Sequence, residues 1–106
     1  MKNQAVLERA KVITERLKKE YHAEKVILFG SYASGKTTRD SDVDLLVIAN
    51  TKEKFFQRMA SIRRLVRDLR KGLAIAPIVL TPAEIERRKE IGDPFIIEIL
   101  ENGLVL

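Results

Sequence analysis

With 106 residues, the chain is too short for a template-copying polymerase or a large synthetase, and its length predicts one domain over 1–106. Hydrophobic residues at 45% against 33% charged argue against a disordered chain. There is no cysteine and His22 is the single histidine, which excludes disulfides, zinc–thiolate sites, a cysteine nucleophile and a multi-histidine metal centre. Lys and Arg number 20 against 15 Asp and Glu, a net charge of +5. That balance suits phosphate-bearing partners in a general way, and solvated helix faces account for it equally well. The longest apolar run, 73–80, is eight residues and far short of a membrane span. Charges interrupt the N-terminal segment every few residues, so it has no apolar stretch for a signal peptide. These features predict a cytoplasmic protein with no membrane partner.

The elements follow in chain order. Val6, Ala10, Ile13 and Leu17 recur at three- and four-residue steps and predict a helix over 3–19. The apolar run 25–29 reads as a strand that stops at Gly30, and a polar stretch rich in Gly, Ser and Thr continues through Ser41. Branched residues over 43–49 predict a second strand. Phe55, Met59, Ile62, Val66 and Leu69 make the stripe of a helix over 55–71, which Gly72 ends. Arg63, Arg64, Arg67, Arg70 and Lys71 fall on its other side. The run 73–80 is a third strand, and Pro77, which cannot donate to a ladder, assigns it to an edge or a bulge. Thr81, Pro82 and Glu84 form the start of a helix with a capping box. Asp93-Pro94 opens a last helix through Glu101, Asn102-Gly103 closes it, and 104–106 can add a short terminal strand.

Residues 30–44, GSYASGKTTRDSDVD, admit two chemical readings. Gly30, Gly35, Lys36 and Thr37 match the phosphate-binding P-loop pattern letter for letter, after a strand. A P-loop lysine opens a long helix, however, and the few residues between Thr37 and the strand at 43 leave no room for one. The second reading uses Gly30-Ser31 with Asp42 and Asp44. Side chains two apart on a strand share a face, and two carboxylates on one face suit Mg²⁺. Gly30 allows a phosphate to approach the backbone, and Ser31 offers a hydroxyl and an N–H at the start of a short helical turn. Phosphoryl transfer needs mainly positioning and charge neutralisation, which these groups can supply. An isolated Asp-x-Asp is more often turn chemistry, and Gly30 alone could be a tight turn. The order of strand, Gly-Ser, ten residues, Asp-x-Asp and strand shifts that balance.

The stretch VILFGSYASGKTTRDSDVDLLVI resembles the signature of the minimal nucleotidyltransferases, the smallest branch of the DNA polymerase β superfamily. Weaker likeness extends through LTPAEIE and GDPFIIEILENGLVL, so the resemblance covers about 25–106. It implies an α/β (α+β) fold, a small mixed sheet backed by helices like a polymerase β palm, and a single nucleotidyltransferase-like domain. It implies that Gly30 and Ser31 hold a triphosphate and that Asp42 and Asp44 ligate Mg²⁺ as catalytic residues. The implied donor is a nucleoside triphosphate, ATP by family habit, with a nucleotidyl group moved to a hydroxyl and pyrophosphate released. Members are often paired with a HEPN-domain protein, and some act as antitoxins by adding AMP to a tyrosine of that toxin.

One departure matters. Active members usually carry a third carboxylate on the third strand, and here Ala76 or Pro77 stands in its place, with no Asp or Glu anywhere in 73–80. Glu84 lies on the following helix and reads as a cap. A binding module that has lost efficient transfer is therefore the alternative reading, and a P-loop NTPase the third. Lys36 and Arg39, between the motif halves, read as solvated loop charges before phosphate contacts. His22 reads as a surface or helix-end residue. The arginine face of 55–71 reads first as a solvated helix back, with nucleic acid or an acidic partner as the functional alternative; Phe56, projecting to that side, hints at a protein interface. The acceptor, the base preference and any homo-oligomer are left open by the sequence.

Overall fold

The computed structural model describes residues 2–38 and 41–106. Helix α1 (Lys2–Glu20) buries Val6, Ala10, Ile13 and Leu17, the periodic positions of its sequence. It closes with the Tyr21 N–H donating to the Leu17 carbonyl at 2.9 Å, and exposed His22 takes a positive φ of 57° before the chain extends. His22 is thus the helix-end histidine that the sequence suggests. Strand β1 (Ala23–Phe29) runs into the one-turn helix α2 (Ser31–Ser34), and β2 (Val43–Ala49) returns antiparallel to β1. Helix α3 (Phe55–Val66) then leads to β3 (Ile75–Leu80), parallel to β2. Helices α4 (Pro82–Glu90) and α5 (Pro94–Asn102) follow, and β4 (Leu104–Val105) pairs antiparallel with β1.

The result is a mixed sheet in the order β3-β2-β1-β4, sandwiched between two helical layers. Alternation in the central strands explains the sandwich, because successive side chains serve opposite faces. Val26, Leu28, Leu45 and Val47 meet Ile13, Leu17, Ile62 and Val66 of α1 and α3. Ile27 and Leu46 meet Ile85, Ile96 and Ile99 of α4 and α5. Central strands covered on both faces read as nearly continuous apolar runs, and the sequences of β1 and β2 do. Pro77 sits in β3 at the sheet edge, opposite Leu45, as its missing N–H requires.

Both predicted caps are present. Glu84 N–H donates to Thr81 Oγ1 at 3.2 Å, and Thr81 N–H donates back to Glu84 Oε1 at 2.8 Å. Phe95 N–H donates to Asp93 Oδ1 at 3.0 Å at the start of α5. Gly103 ends α5 for a steric reason: a Cβ there would lie 2.4 Å from Ile27 Cγ2 and 2.6 Å from the Ile99 carbonyl oxygen.

Two boundaries need correction. Helix α3 ends at Val66 and not at residue 71. Its last carbonyl accepts from the N–H groups of both Leu69 and Arg70, at 2.9 and 3.0 Å, and the chain turns through Lys71 and Gly72, both at positive φ. The turns keep Leu69 and Leu73 against the core on the α3 side and lead the chain into β3. For the same reason β3 starts at Ile75, two residues later than 73.

The sequence reading also misses Arg58. It sits three residues after Phe55 and four before Ile62, on the apolar face of α3, and is only 7% exposed. Its Nε donates to the Glu53 carbonyl at 2.9 Å and its Nη1 to the Val79 carbonyl at 3.1 Å. Nη1 and Nη2 also reach the two carboxylate oxygens of Glu84, at 2.6 and 3.3 Å. Glu84 is therefore both cap and counter-ion, and it joins α3, β3 and α4. The Arg58 guanidinium holds the Glu84 carboxyl below its ordinary value.

Candidate functional site

Because β1 and β2 are antiparallel, the end of one and the start of the other lie at the same edge of the sheet, with Phe29 opposite Asp44. Gly30 and Asp44 are thereby neighbours. Gly30 has φ 73° and ψ −148°, and a Cβ built on it would lie 2.2 Å from Asp44 Oδ2. No side chain fits between this backbone and that carboxylate. Glycine is required here twice, by the backbone conformation and by the close approach. The turn at Gly30 then starts α2 at Ser31, with the Ala33 and Ser34 N–H groups both donating to the Gly30 carbonyl at 3.1 Å.

Asp42 and Asp44 are electrostatically coupled. Burial pushes the Asp44 carboxyl above its ordinary value, and the negative charge of Asp42 adds to that. Asp42 is exposed and Asp44 half-buried. An anion pair of this kind costs energy unless something positive shares it. Two carboxylates and no nitrogen or sulfur donor make a hard oxygen set, which fits Mg²⁺ with water and phosphate oxygens in its other positions. Among the described residues no cluster of three or more His, Cys, Asp or Glu side chains could hold a metal, so within them this pair is the candidate.

The parallel register places Ala76 beside Asp44 and Pro77 beside Leu45. Paired residues on adjacent strands share a face, so Ala76 is the position next to the carboxylates and Pro77 faces the other way. A methyl group stands where a third acid would complete the set.

Two recesses flank the carboxylates. One, of about 650 Å³, adjoins Gly30 and is walled by Phe29, Ala33, Ser34, Phe95 and Ile99. The Phe29 and Phe95 rings meet edge to face in its wall, 5.7 Å between centroids. The other, of about 460 Å³, lies beside Asp42 and Ala76 against the end of α3 and is lined by Arg63, Arg67 and Arg70. The arginine face thus divides. Arg64 turns toward Ser61, while Arg63, Arg67 and Arg70 converge on the site. Lys36 lies beyond α2, exposed, with Gly35 in the left-handed conformation ending that helix. A four-residue helix that closes before the lysine is the reverse of P-loop geometry. Arg39 lies outside the described residues. Phe55 and Phe56 stack edge to face at the far end of α3, and Phe56 is 82% exposed.

Phe95 and Arg58 are the residues that the sequence hides. Phe95 sits two positions after a helix cap and carries no motif. Arg58 shows itself only in the spacing of its apolar neighbours.

Comparison with known proteins agrees with this architecture. The sequence profile of the nucleotidyltransferase domain family matches residues 10–106. The Methanocaldococcus jannaschii protein named "Putative protein adenylyltransferase MJ0604" is 34% identical over 98 residues, covering 91% of this chain and 92% of its own. "Putative protein adenylyltransferase MJ1305" of the same organism is 40% identical over 84 residues, 76% of this chain; the matched region spans 56% of that relative's length. A Sulfolobus solfataricus crystal structure described as a "putative nucleotidyltransferase" superposes with a TM-score of 0.63 at 31% identity, covering 80% of this chain and 75% of the other.

Proposed function

The chain belongs to the nucleotidyltransferase domain family, and from that premise we propose that it binds ATP with Mg²⁺ and transfers AMP to a hydroxyl group of a protein. The observation that carries the reading is the contact between the two halves of the motif. Gly30 and Asp44 are far apart in sequence, yet the strand pairing leaves no room for even a methyl group between them.

Gly30 presents bare backbone to the donor's phosphates, and Ser31 adds its hydroxyl and N–H. Asp42 and Asp44 would hold Mg²⁺, which would supply charge neutralisation for phosphoryl transfer. The acceptor oxygen bonds to the α-phosphorus, the bond from that phosphorus to the bridging oxygen breaks, and pyrophosphate leaves with the electron pair. The hydroxyl proton passes to solvent, since β3 has no carboxylate to take it. The Phe29–Phe95 recess adjoins Gly30 and has the apolar character that a purine ring needs. The names of the M. jannaschii relatives favour a protein acceptor and AMP as the group moved. A HEPN-domain protein is the partner that the motif resemblance implies, with the present chain as antitoxin.

Ala76 favours a second reading. Without a third carboxylate, nucleotide binding persists while transfer is slow, and the domain acts as a nucleotide-binding module on its partner. Calorimetric titration of ATP, with and without Mg²⁺, tests the common part. Binding that needs Mg²⁺, vanishes in Asp42→Asn/Asp44→Asn and survives in Lys36→Ala supports the site; loss in Lys36→Ala alone refutes it. ATP labelled at the α-phosphate then separates the readings. Label on a partner protein supports the enzyme, and a stable unlabelled complex supports the module.

A further inference from the structure

We infer that the arginine-lined recess beside Asp42 is the acceptor's binding site and that it takes an acidic polypeptide segment. The inference rests on the nucleotidyltransferase reading for what happens next to it, and on the recess itself for the chemistry of the ligand. Its position comes first. Asp42 and Ala76 line it, so whatever occupies it lies against Asp42, the outer member of the carboxylate pair, on the side away from the Gly30 recess.

Its charge comes second. Arg63, Arg67 and Arg70 line it, and among the described residues none of the three has an acidic partner within ion-pair distance. Arg70 Nη1 donates to the Leu73 carbonyl at 3.1 Å, which steadies that side chain and leaves its charge uncompensated. Three other arginines are paired: Arg16 with Asp68 and Glu20, Arg58 with Glu84, and Arg88 with Asp93. Three guanidinium groups without an ion pair among the described residues, gathered around one cavity, attract carboxylates and bind them in the two-pronged geometry that arginine favours. Among the described residues Asp42 is the one acidic residue in the lining, so three guanidinium groups face a single carboxylate and the recess keeps a positive balance.

The lining also selects the class of polymer. At about 460 Å³ the recess has room for a few side chains. Its other walls are Val66, Ala74 and Ile75, with no aromatic ring on which a base could stack. An extended peptide with glutamates or aspartates around its hydroxyl residue fits these features, and a single-stranded nucleic acid lacks its usual platform.

The test uses fluorescein-labelled peptides carrying one tyrosine flanked by glutamates or by lysines, and an oligoadenylate of similar length, with binding followed by fluorescence anisotropy. The expected result is that the glutamate peptide binds the wild type, that raising salt weakens it, and that Arg63→Glu/Arg67→Glu loses at least tenfold in affinity. Both arginines are exposed, so the fold tolerates the change; a thermal melt verifies this, and Arg63→Gln/Arg67→Gln supplies the milder variant. ATP titrated into the same proteins is the control. Equal binding of the two peptides overturns the inference, and so does undiminished binding by the reversed variant. Binding of the oligoadenylate in place of the glutamate peptide assigns the recess to nucleic acid and also overturns it. A parallel tenfold loss in ATP affinity assigns the arginines to the donor's phosphates and overturns it too. If the wild type binds the glutamate peptide and no ATP, the nucleotidyltransferase reading fails while the recess assignment stands.

Discussion

Replacing Gly30 by alanine tests the geometry at the centre of the site. The new Cβ would meet Asp44 Oδ2 at 2.2 Å, and the backbone would have to keep φ 73° and ψ −148° with an L side chain. The backbone conformation costs roughly 1–3 kcal/mol for a non-glycine residue. Pushing the Asp44 carboxylate aside adds roughly 1–3 kcal/mol, the usual range for forcing atoms into filled space. A total of about 2–6 kcal/mol is a large part of the stability of a domain this size, roughly 5–15 kcal/mol. Urea denaturation of Gly30→Ala, Asp44→Ala and the double variant separates the two contributions. Truncating Asp44 removes the obstacle, so the double variant keeps only the backbone strain and the coupling energy is about 1–3 kcal/mol. Additivity within about 0.5 kcal/mol refutes the contact, because distant, independent sites behave that way. Gly30→Ala also displaces a proposed metal ligand, so Mg²⁺-dependent ATP binding falls even at temperatures where the variant is folded.

Asp44→Asn is expected to stabilise the metal-free protein at pH 7 and to do nothing at pH 3, by thermal melts. The sign follows from its raised pKa: the ionised carboxylate costs stability above the unfolded-state value, and the cost disappears once both states are protonated. Mg²⁺ at a hundred times its dissociation constant is expected to stabilise the wild type by about 2.7 kcal/mol and to leave Asp44→Asn unchanged, and equal melts with and without the ion refute the metal assignment. Arg58→Met is expected to cost about 3 kcal/mol, the low end for breaking a buried ion pair, because Glu84 is exposed enough to be rehydrated. Glu84 contributes the opposite pH dependence to Asp44. Its pKa is lowered, so its stabilisation is present above the ordinary carboxylate range and is lost as pH falls through the folded value; the wild type loses that increment in acid and Glu84→Gln does not. Ala76→Asp places a carboxylate beside Asp44 and is expected to raise label transfer from ATP by about a hundredfold if the acceptor's proton then has a base, with unchanged rates as the result that refutes it.

Much of the fold is legible because most of its rules are local. Pro77 marks an edge strand through its missing N–H, and Thr81 with Glu84 marks a helix start through hydrogen bonds within three residues. The end of α3 is not legible in this way. The residues 67–71 keep helical composition, and the chain turns through Lys71 and Gly72 to bring Ile75 beside Val43 of β2. That is a tertiary demand, and periodicity within the helix cannot express it. Arg58 is hidden for a related reason. Its partners come from β3 and α4, so its burial follows from the packing of three elements.

The site divides along the same line. Gly-Ser and Asp-x-Asp are legible because their spacing encodes a strand, a turn and a second strand that must come back to the first. Their contact then follows from antiparallel pairing, which sets Phe29 opposite Asp44. The recess beside Asp42 depends instead on where α3 stops. Arg63 lies in the last turn of α3, Arg67 caps it, and Arg70 stands in the turns that lead the chain back toward Ile75. In an uninterrupted helix, Arg63, Arg67 and Arg70 would form a stripe along a solvated back. The early end of α3 brings these three guanidinium groups around one cavity at the edge of the carboxylate site. A reading of charge along the helix alone therefore favours solvent, while the three-dimensional arrangement gives the same residues an anion to bind.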